Sequence, residues 1–283
     1  MPRRNCCLRR GIFMQTSSVY EYLRRQMKGS RRETRPIWRA LVPLLLPALV
    51  LLVWQVVVSL GVYPEFIIPS PSAVLAKFID VLRDGRLLAN TWVTLSQTLA
   101  GLTIGVALSV LLGYAIAKNR LLDDLFSPLI IALQSTPVVA YAPLLVIWFG
   151  NGPTSKVVTS ALIVFFPMLM NTVVGLRSVP KSLRDLMLSL RATPWQMFKH
   201  LEVPAALPVL LGGLKVSATL AVIGSVVGEF VSARAGLGWL INDARYNYDT
   251  PLVLVAVLML DAIARVLYAA VSMVEKRVLA WRR

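Results

Sequence analysis

The stretch Lys181–Pro208, KSLRDLMLSLRATPWQMFKHLEVPAALP, is the one polar, basic segment set deep inside an otherwise apolar chain. Leu183, Leu186, Met187 and Leu190 fall at i, i+3, i+4 and i+7, which predicts a short helix with one apolar face. Arg184, Asp185 and Arg191 lie off that stripe. A second short helix is signalled by Thr193 as N-cap, Pro194 at the first helical position and Gln196 three residues after the cap. Pro204 and Pro208 bracket the entry into the next apolar run. A pair of short amphipathic helices between apolar runs forms a surface that can dock into another protein.

The rest of the chain sets the context for that surface. Of 283 residues, 57% are hydrophobic and 16% charged, and the mean hydropathy is +0.67. Soluble domains carry about 25% charged residues, and several runs here exceed the ~20 apolar residues that span a bilayer. The composition is that of an all-α, polytopic membrane protein. Cys6 and Cys7 are adjacent and cannot form an ordinary structural bridge, and His200 is the only histidine. No metal site and no cofactor are expected. No G-x-x-x-x-G-K-[ST] occurs, so the chain cannot cradle ATP phosphates in the P-loop manner. No Ser/His/Asp set is available either, so no catalytic residue and no enzymatic activity are assigned.

Residues 1–39 hold eleven Lys/Arg against Glu21 and Glu33 and no apolar run, which reads as a basic tail. The first span covers 40–62. It is too long for a signal-peptide core and no A-x-A-like site follows it, so it is retained. Residues 63–86 form a connector in which Ser72 caps a helix. Val74, Leu75, Phe78, Ile79 and Leu82 lie on one face and Lys77, Asp80 and Arg83 on the other, the pattern of a helix lying on a membrane or of a packed connector. The core then covers 87–276. Its runs are Leu87–Ala117, a third run Leu125–Ser155 broken by Pro128, Pro137 and Pro143, then Val157–Leu176, Pro204–Val231 and Pro251–Val274. The polar loop 177–203 and a loop at 232–249 interrupt it, and 277–283 is the C-terminal tail. Six spans are expected.

Lys/Arg bias sets the orientation. With the N-terminus inside, the tail, Lys118, Arg120, Arg177, Lys181, Arg184, Arg191, Lys199, Lys276, Arg277, Arg282 and Arg283 place twenty-two Lys/Arg on the cytoplasmic side. Lys77, Arg83, Arg86, Lys156, Arg234 and Arg245 place six outside, and Lys215 and Arg265 lie in spans. Both termini are therefore expected in the cytoplasm. The net charge of +16 is topology plus a tail beside anionic lipid, not a nucleic-acid surface. Ionisable residues within spans face the bundle interior or an aqueous cavity. Lys215 sits where it can snorkel. Glu229 either faces the mouth of a path or braces the loop Ser232–Gly238. Asp261 and Arg265 are one turn apart and can neutralise each other. Gln134, Asn171 and Glu229 are the candidate translocation-path residues. Gly101-x-x-x-Gly105, Gly212-Gly213 and Gly224-x-x-x-Gly228 suit close helix packing and also permit bending.

The polar loop resembles the cytoplasmic loop of permease subunits of binding-protein-dependent ABC importers. That family carries Glu-Ala-Ala, three residues, Gly, nine residues, then aliphatic-x-Leu-Pro. This chain has Asp185-Leu186-Met187, three residues, Arg191, nine residues, then Leu201-Glu202-Val203-Pro204. The spacing matches. Asp stands for Glu, Leu and Met for the small residues, and Arg191 for the Gly that allows a sharp turn. The turn is expected to be carried instead by the Thr193-Pro194 helix start. IIPSPSAVL, TPVVAYAPLLVIWFGNGPTSK, FFPMLMNTVVGLRSVP and GLKVSATLAVIGSVVGEFVSARAGLGWLI are similar to the nitrate/sulfonate/taurine branch of these permeases. ATPWQMFKHLEVPAALP and VVGEF are similar to relatives that import thiamine-pyrimidine precursors or riboflavin.

The resemblance implies a type I ABC importer permease fold in a bacterial-type inner membrane. It implies a second permease copy, two ATP-binding subunits that perform the hydrolysis, and an extracytoplasmic solute-binding protein. It makes Leu183, Leu186, Met187, Leu190, Arg191, Trp195 and Phe198 the ATPase-coupling residues. The competing reading is a secondary transporter coupled to an ion through Glu229 or Asp261. Six spans are few for that, and the basic loop would have no partner. A membrane-embedded enzyme lacks clustered catalytic residues at a common depth.

Overall fold

In a bilayer no water reaches the backbone, so each apolar run has to satisfy its own N–H and C=O groups, and helices do so within the segment. The computed structural model describes residues 37–61, 64 and 66–280, and every regular element among them is helical. Most of the expected basic tail, residues 1–36, lies outside the described residues, as do 281–283. The chain divides into two units at residues 60 and 61. The first holds α1 (Ile37–Ser59), 23 residues, about 34 Å by helical rise and long enough for the ~30 Å hydrocarbon layer.

The second unit holds everything else. It comprises α2 (Pro71–Arg83), α3 (Arg86–Lys118), α4 (Arg120–Ser135), a 3₁₀ turn (Val138–Tyr141), α5 (Ala142–Phe149) and α6 (Pro153–Arg177). After these come α7 (Lys181–Ser189), α8 (Pro194–Met197), a π turn (Phe198–Glu202), α9 (Val203–Ser232), α10 (Leu237–Tyr246) and α11 (Thr250–Val278). Helices α3, α6, α9 and α11 are each long and apolar enough to cross a membrane, α9 as the continuation of α8. α4 and the segment 138–149 form one broken span, bent by 85°. The break falls at Thr136-Pro137, where proline removes a backbone donor and its ring bars the preceding residue from helical geometry. Among the described residues this gives four spans, or five with the broken pair counted as one, against the six expected, and α1 adds a shorter apolar stretch at Leu45–Ser59.

Helix α6 packs between α3 and α9, and small residues set how close the three come. Ser160 sits at the crossing. A Cβ at Gly101 would lie 2.5 Å from Ser160 Cβ, and one at Gly224 would lie 2.5 Å from Ser160 Cα. Ser160 Oγ donates to the Ala221 carbonyl at 2.9 Å, and Thr98 Oγ1 donates to Ser225 Oγ at 3.0 Å. Close approach of this kind replaces the hydrophobic drive that lipid cannot supply. Of the two roles open for the glycines of α9, packing is the one the geometry shows at Gly213, Gly224 and Gly228, while Gly212 meets nothing within 4 Å.

Two local readings change. Ser70, not Ser72, caps α2, accepting from Ala73 N at 3.2 Å, because Pro71 takes the first helical position and leaves the cap to its predecessor. The packed face of α2 is also rotated from the expected stripe. Val74 and Val81 are buried and Lys77 and Phe78 half-buried, while Leu75, Ile79 and Leu82 are exposed. The cause is the start of α11, against which α2 packs. There Asp249 draws Lys77 into an ion pair at 2.8 Å, and Thr250 Oγ1 donates to the Phe66 carbonyl. The loop 232–249 also contains α10, whose Leu237, Leu240, Ile241 and Ala244 are buried at i, i+3, i+4 and i+7.

A matched pair of substitutions tests the crossing. Gly224→Ala forces a methyl against the α6 backbone and should destabilise by about 1–3 kcal/mol. Gly212→Ala meets open space and should be neutral or stabilising by up to ~1 kcal/mol through helix propensity. Thermal unfolding in detergent should show a midpoint lowered by several degrees for the first and not for the second.

Candidate functional site

The expected helix pair forms. α7 buries none of its residues, and Leu186, Leu190 and Trp195 are 55%, 69% and 68% exposed. Leu183 and Leu188 are exposed beside them, and Met187 and Phe198 are half-buried. The Trp195 ring stacks on Phe198 at 5.6 Å, and Phe198 meets Tyr114 of α3 edge-on at 5.4 Å. Thr193 and Gln196 make the capping box, Thr193 N donating to Gln196 Oε1 at 2.8 Å and Gln196 N to Thr193 Oγ1 at 3.3 Å. The turn between the helices differs from expectation. Arg191 itself adopts the left-handed conformation, with φ 54°. Arg191 N donates to the Leu188 carbonyl at 2.9 Å and Ala192 N to the Met187 carbonyl at 3.0 Å. This pair of bonds is the Schellman ending of a helix, and it requires the left-handed residue at Arg191. Thr193 lies too far along to satisfy those carbonyls, so a start signal could not replace the stop.

Glu202 anchors this end of the bundle, and the sequence reading missed it. It is 1% exposed. Its Oε1 accepts from Lys118 Nζ, at the end of α3, and from Arg184 Nη2 of α7 at 3.2 Å. Its Oε2 is buried without a hydrogen-bond partner among the described residues. The signal was an acidic residue in a basic loop, directly before the apolar run of α9. Nearby, Asp123 accepts from Arg177 at 2.8 Å and from Ser127 at 2.7 Å. Lys215, expected to snorkel, instead pairs with Glu275 of α11, with its Nζ 5.9 Å from the centre of the Tyr268 ring.

The opposite end of the bundle holds a second buried carboxylate. Glu229 is 1% exposed. Its Oε1 accepts from Thr94 Oγ1 at 2.7 Å and its Oε2 from Gly238 N at 2.6 Å. Thr94 in turn accepts from Leu237 N at 2.8 Å, and Asn90 Oδ1 accepts from Gly236 N at 2.7 Å. The loop Ser232–Gly238 is thereby stapled to α3 and α9. Gly236 has φ 112°, and any side chain there would collide with the Glu229 carboxylate. Beside it, the buried Lys156 donates to the Asn151 and Ser232 carbonyls, both at 2.8 Å, and to Ser232 Oγ at 3.2 Å. Sequence reasoning placed Lys156 in an outer loop, because charge at a span end looks the same whether it is solvated or satisfied by carbonyls.

The three path candidates are not neighbours. Gln134 is exposed near the end of α4, beside the break. Asn171 is half-buried, donates to the Pro167 carbonyl at 2.8 Å and packs where a Cβ on Gly213 would stand. Glu229 belongs to the staple. Asp261 and Arg265 pair with each other at 2.7 Å on an exposed face of α11. Among the described residues no cluster of three metal-ligating side chains forms. Glu229→Gln puts an amide N–H opposite a donor, since both Thr94 and Gly238 donate. It should destabilise by about 1–3 kcal/mol, read as a lowered unfolding midpoint in detergent, and an unchanged midpoint would contradict the staple.

Residues 105–280 match the model of the family described as the binding-protein-dependent transport system inner membrane component. The riboflavin transport system permease protein of Chloroflexus aurantiacus is 45% identical over 233 residues, 82% of this chain and 87% of that one. The formylaminopyrimidine transport permease protein of Halalkalibacterium halodurans is 32% identical over 246 residues, 87% of this chain and 98% of that one. An inward-facing methionine ABC transporter shares the fold at a TM-score of 0.62 and 19% identity, over 68% of this chain and 96% of that one. By the match over 105–280 and by these relatives, this chain belongs to the binding-protein-dependent transport system inner membrane component family, the permeases of ABC transporters.

Proposed function

We propose that this chain is one of two permease copies in an importer driven by two ATP-binding subunits and fed by an extracytoplasmic solute-binding protein. In this reading α7 and α8 face the cytoplasm and contact the ATPase. The observation that carries it is the exposed apolar and aromatic face Leu183, Leu186, Leu190 and Trp195 on a loop that is otherwise basic. Leu and Trp of this kind would be costly to leave in water, and aromatic anchors are what protein interfaces concentrate. Met187 and Phe198 continue the face inward, and Arg191 holds the turn that orients α7 against α8. Arg184 and Glu202 pair with each other, and of the remaining charges Arg177, Lys181, Arg191 and Lys199 outnumber Asp185, so the receiving groove should be acidic at its rim.

The Lys/Arg bias supports both termini in the cytoplasm and puts the Glu229 staple at the outer end, where a binding protein delivers solute. Gln134, exposed beside the break in α4, is the path candidate with a side chain free of the packing that holds Asn171 and Glu229. For the solute, riboflavin or a pyrimidine vitamin precursor leads, on the strength of the names of the two relatives above. Sulfonates, taurine and nitrate come second.

The double variant Leu186→Asp with Leu190→Asp tests the contact. The membrane part should fold normally, while the ATPase no longer copurifies or its hydrolysis no longer drives uptake. Wild-type copurification together with wild-type coupled uptake would exclude this loop as the contact. Titration of the cognate binding protein with riboflavin, a formylaminopyrimidine and taurine in parallel should give submillimolar binding for one of the first two.

A further inference from the structure

We propose that Glu202 is the joint through which displacement of α7 reaches the membrane helices, with Arg184 and Lys118 as its two arms. The proposal rests on α7–α8 being the ATPase contact and adds the route by which a push there is transmitted.

α7 has no fully buried residue and only Met187 is half-buried, so apolar packing carries little of its motion into the spans. It is bounded by Pro180 and by the left-handed turn at Arg191. A cleft of about 590 Å³ opens beside it, lined by Pro180, Leu183, His200, Leu201, Pro204 and Pro208 among others. Within the described residues, the polar tie from α7 to the spans is Arg184–Glu202 at 3.2 Å.

Glu202 stands where three elements meet. It ends the π turn Phe198–Glu202 that joins α8 to α9, and π turns inserted in longer helices gather at functional positions. Lys118 binds the same oxygen from the end of α3. A pull on Arg184 therefore acts on α3 and α9 together. Those two helices are tied again at the far end by Thr94–Glu229 at 2.7 Å. Glu202 and Glu229 are about 40 Å apart along α9 by helical rise. Clamped at both ends and closed on α6 at Ser160, the three helices can move only as one body. Both cations occupy Oε1, so displacement of either is felt at the other. A contact that both sides bias is what coupling between them requires.

The test uses the complete complex in proteoliposomes, comparing ATP hydrolysis with and without the purified binding protein, a signal that has to cross the permease. Glu202→Gln and Arg184→Gln should retain the ATPase subunits and their basal hydrolysis. Each should lose at least ten-fold of the stimulation by the binding protein. Arg184→Gln leaves Lys118–Glu202 intact, so its detergent stability should match wild type and separate transmission from folding. Full stimulation in both variants, or a loss of stability in Arg184→Gln in proportion to its loss of stimulation, would overturn the joint. Loss of the ATPase subunits from either variant would also overturn it, because the residues would then be docking contacts. A wild-type complex to which no ATPase binds would instead overturn the docking reading, and so the two failures are told apart.

Discussion

The structure depends on the crossing of α3, α6 and α9 at Ser160, where two neighbours are glycine because nothing larger fits. Lipid offers helices no hydrophobic reason to associate, so contact distance and interhelical hydrogen bonds have to hold them. Once the three backbones are this close, the polar groups on their facing sides are sealed from lipid and must find partners within the bundle. Thr98 and Ser225 find each other, and Ser160 finds the Ala221 carbonyl.

The same logic explains why the two buried carboxylates lie at the ends of α9 and not at its middle. A charge near a bilayer boundary can collect donors from loops and helix ends, and each of the two does so. Glu229 draws on Thr94 and the Gly238 backbone, and Glu202 on Lys118 and Arg184. Lys156 is the mirror case, a cation whose ammonium is satisfied by two carbonyls and a hydroxyl. The middle of the core is left to neutral residues, small ones at the Ser160 crossing and Val164, Met168 and Leu169 beyond it. The face of α7–α8 is left uncovered as well, with Leu186, Leu190 and Trp195 exposed on a polar loop. On the proposed reading, chemistry belongs to another subunit, and this chain supplies a stiff body with a joint at one end.

The long apolar helices, the break at Pro137 and the capping box at Thr193 are legible in the sequence because each rests on local rules: run length, proline geometry and side-chain reach over three residues. So is the exposed stripe of α7. The polar partners are not legible. Glu229 meets Thr94 across 135 residues and Lys118 meets Glu202 across 84, separations that no periodicity encodes. The left-handed Arg191 escaped for a different reason. Arginine gives no warning of positive φ, and only the pair of bonds to Leu188 and Met187 reveals it. α10 carries an i, i+3, i+4, i+7 pattern of Leu237, Leu240, Ile241 and Ala244, short beside the two long apolar runs that flank it.

The most direct measurement is site-specific photocrosslinking in intact cells. A photoreactive phenylalanine analogue is placed at Trp195, with a second probe at Trp92, which is equally exposed at the opposite end of α3. If α7–α8 is the ATPase contact, Trp195 yields an adduct with a soluble P-loop ATPase and Trp92 does not. An ATPase adduct from Trp92, or none from Trp195 in a complex that still transports, would contradict that assignment.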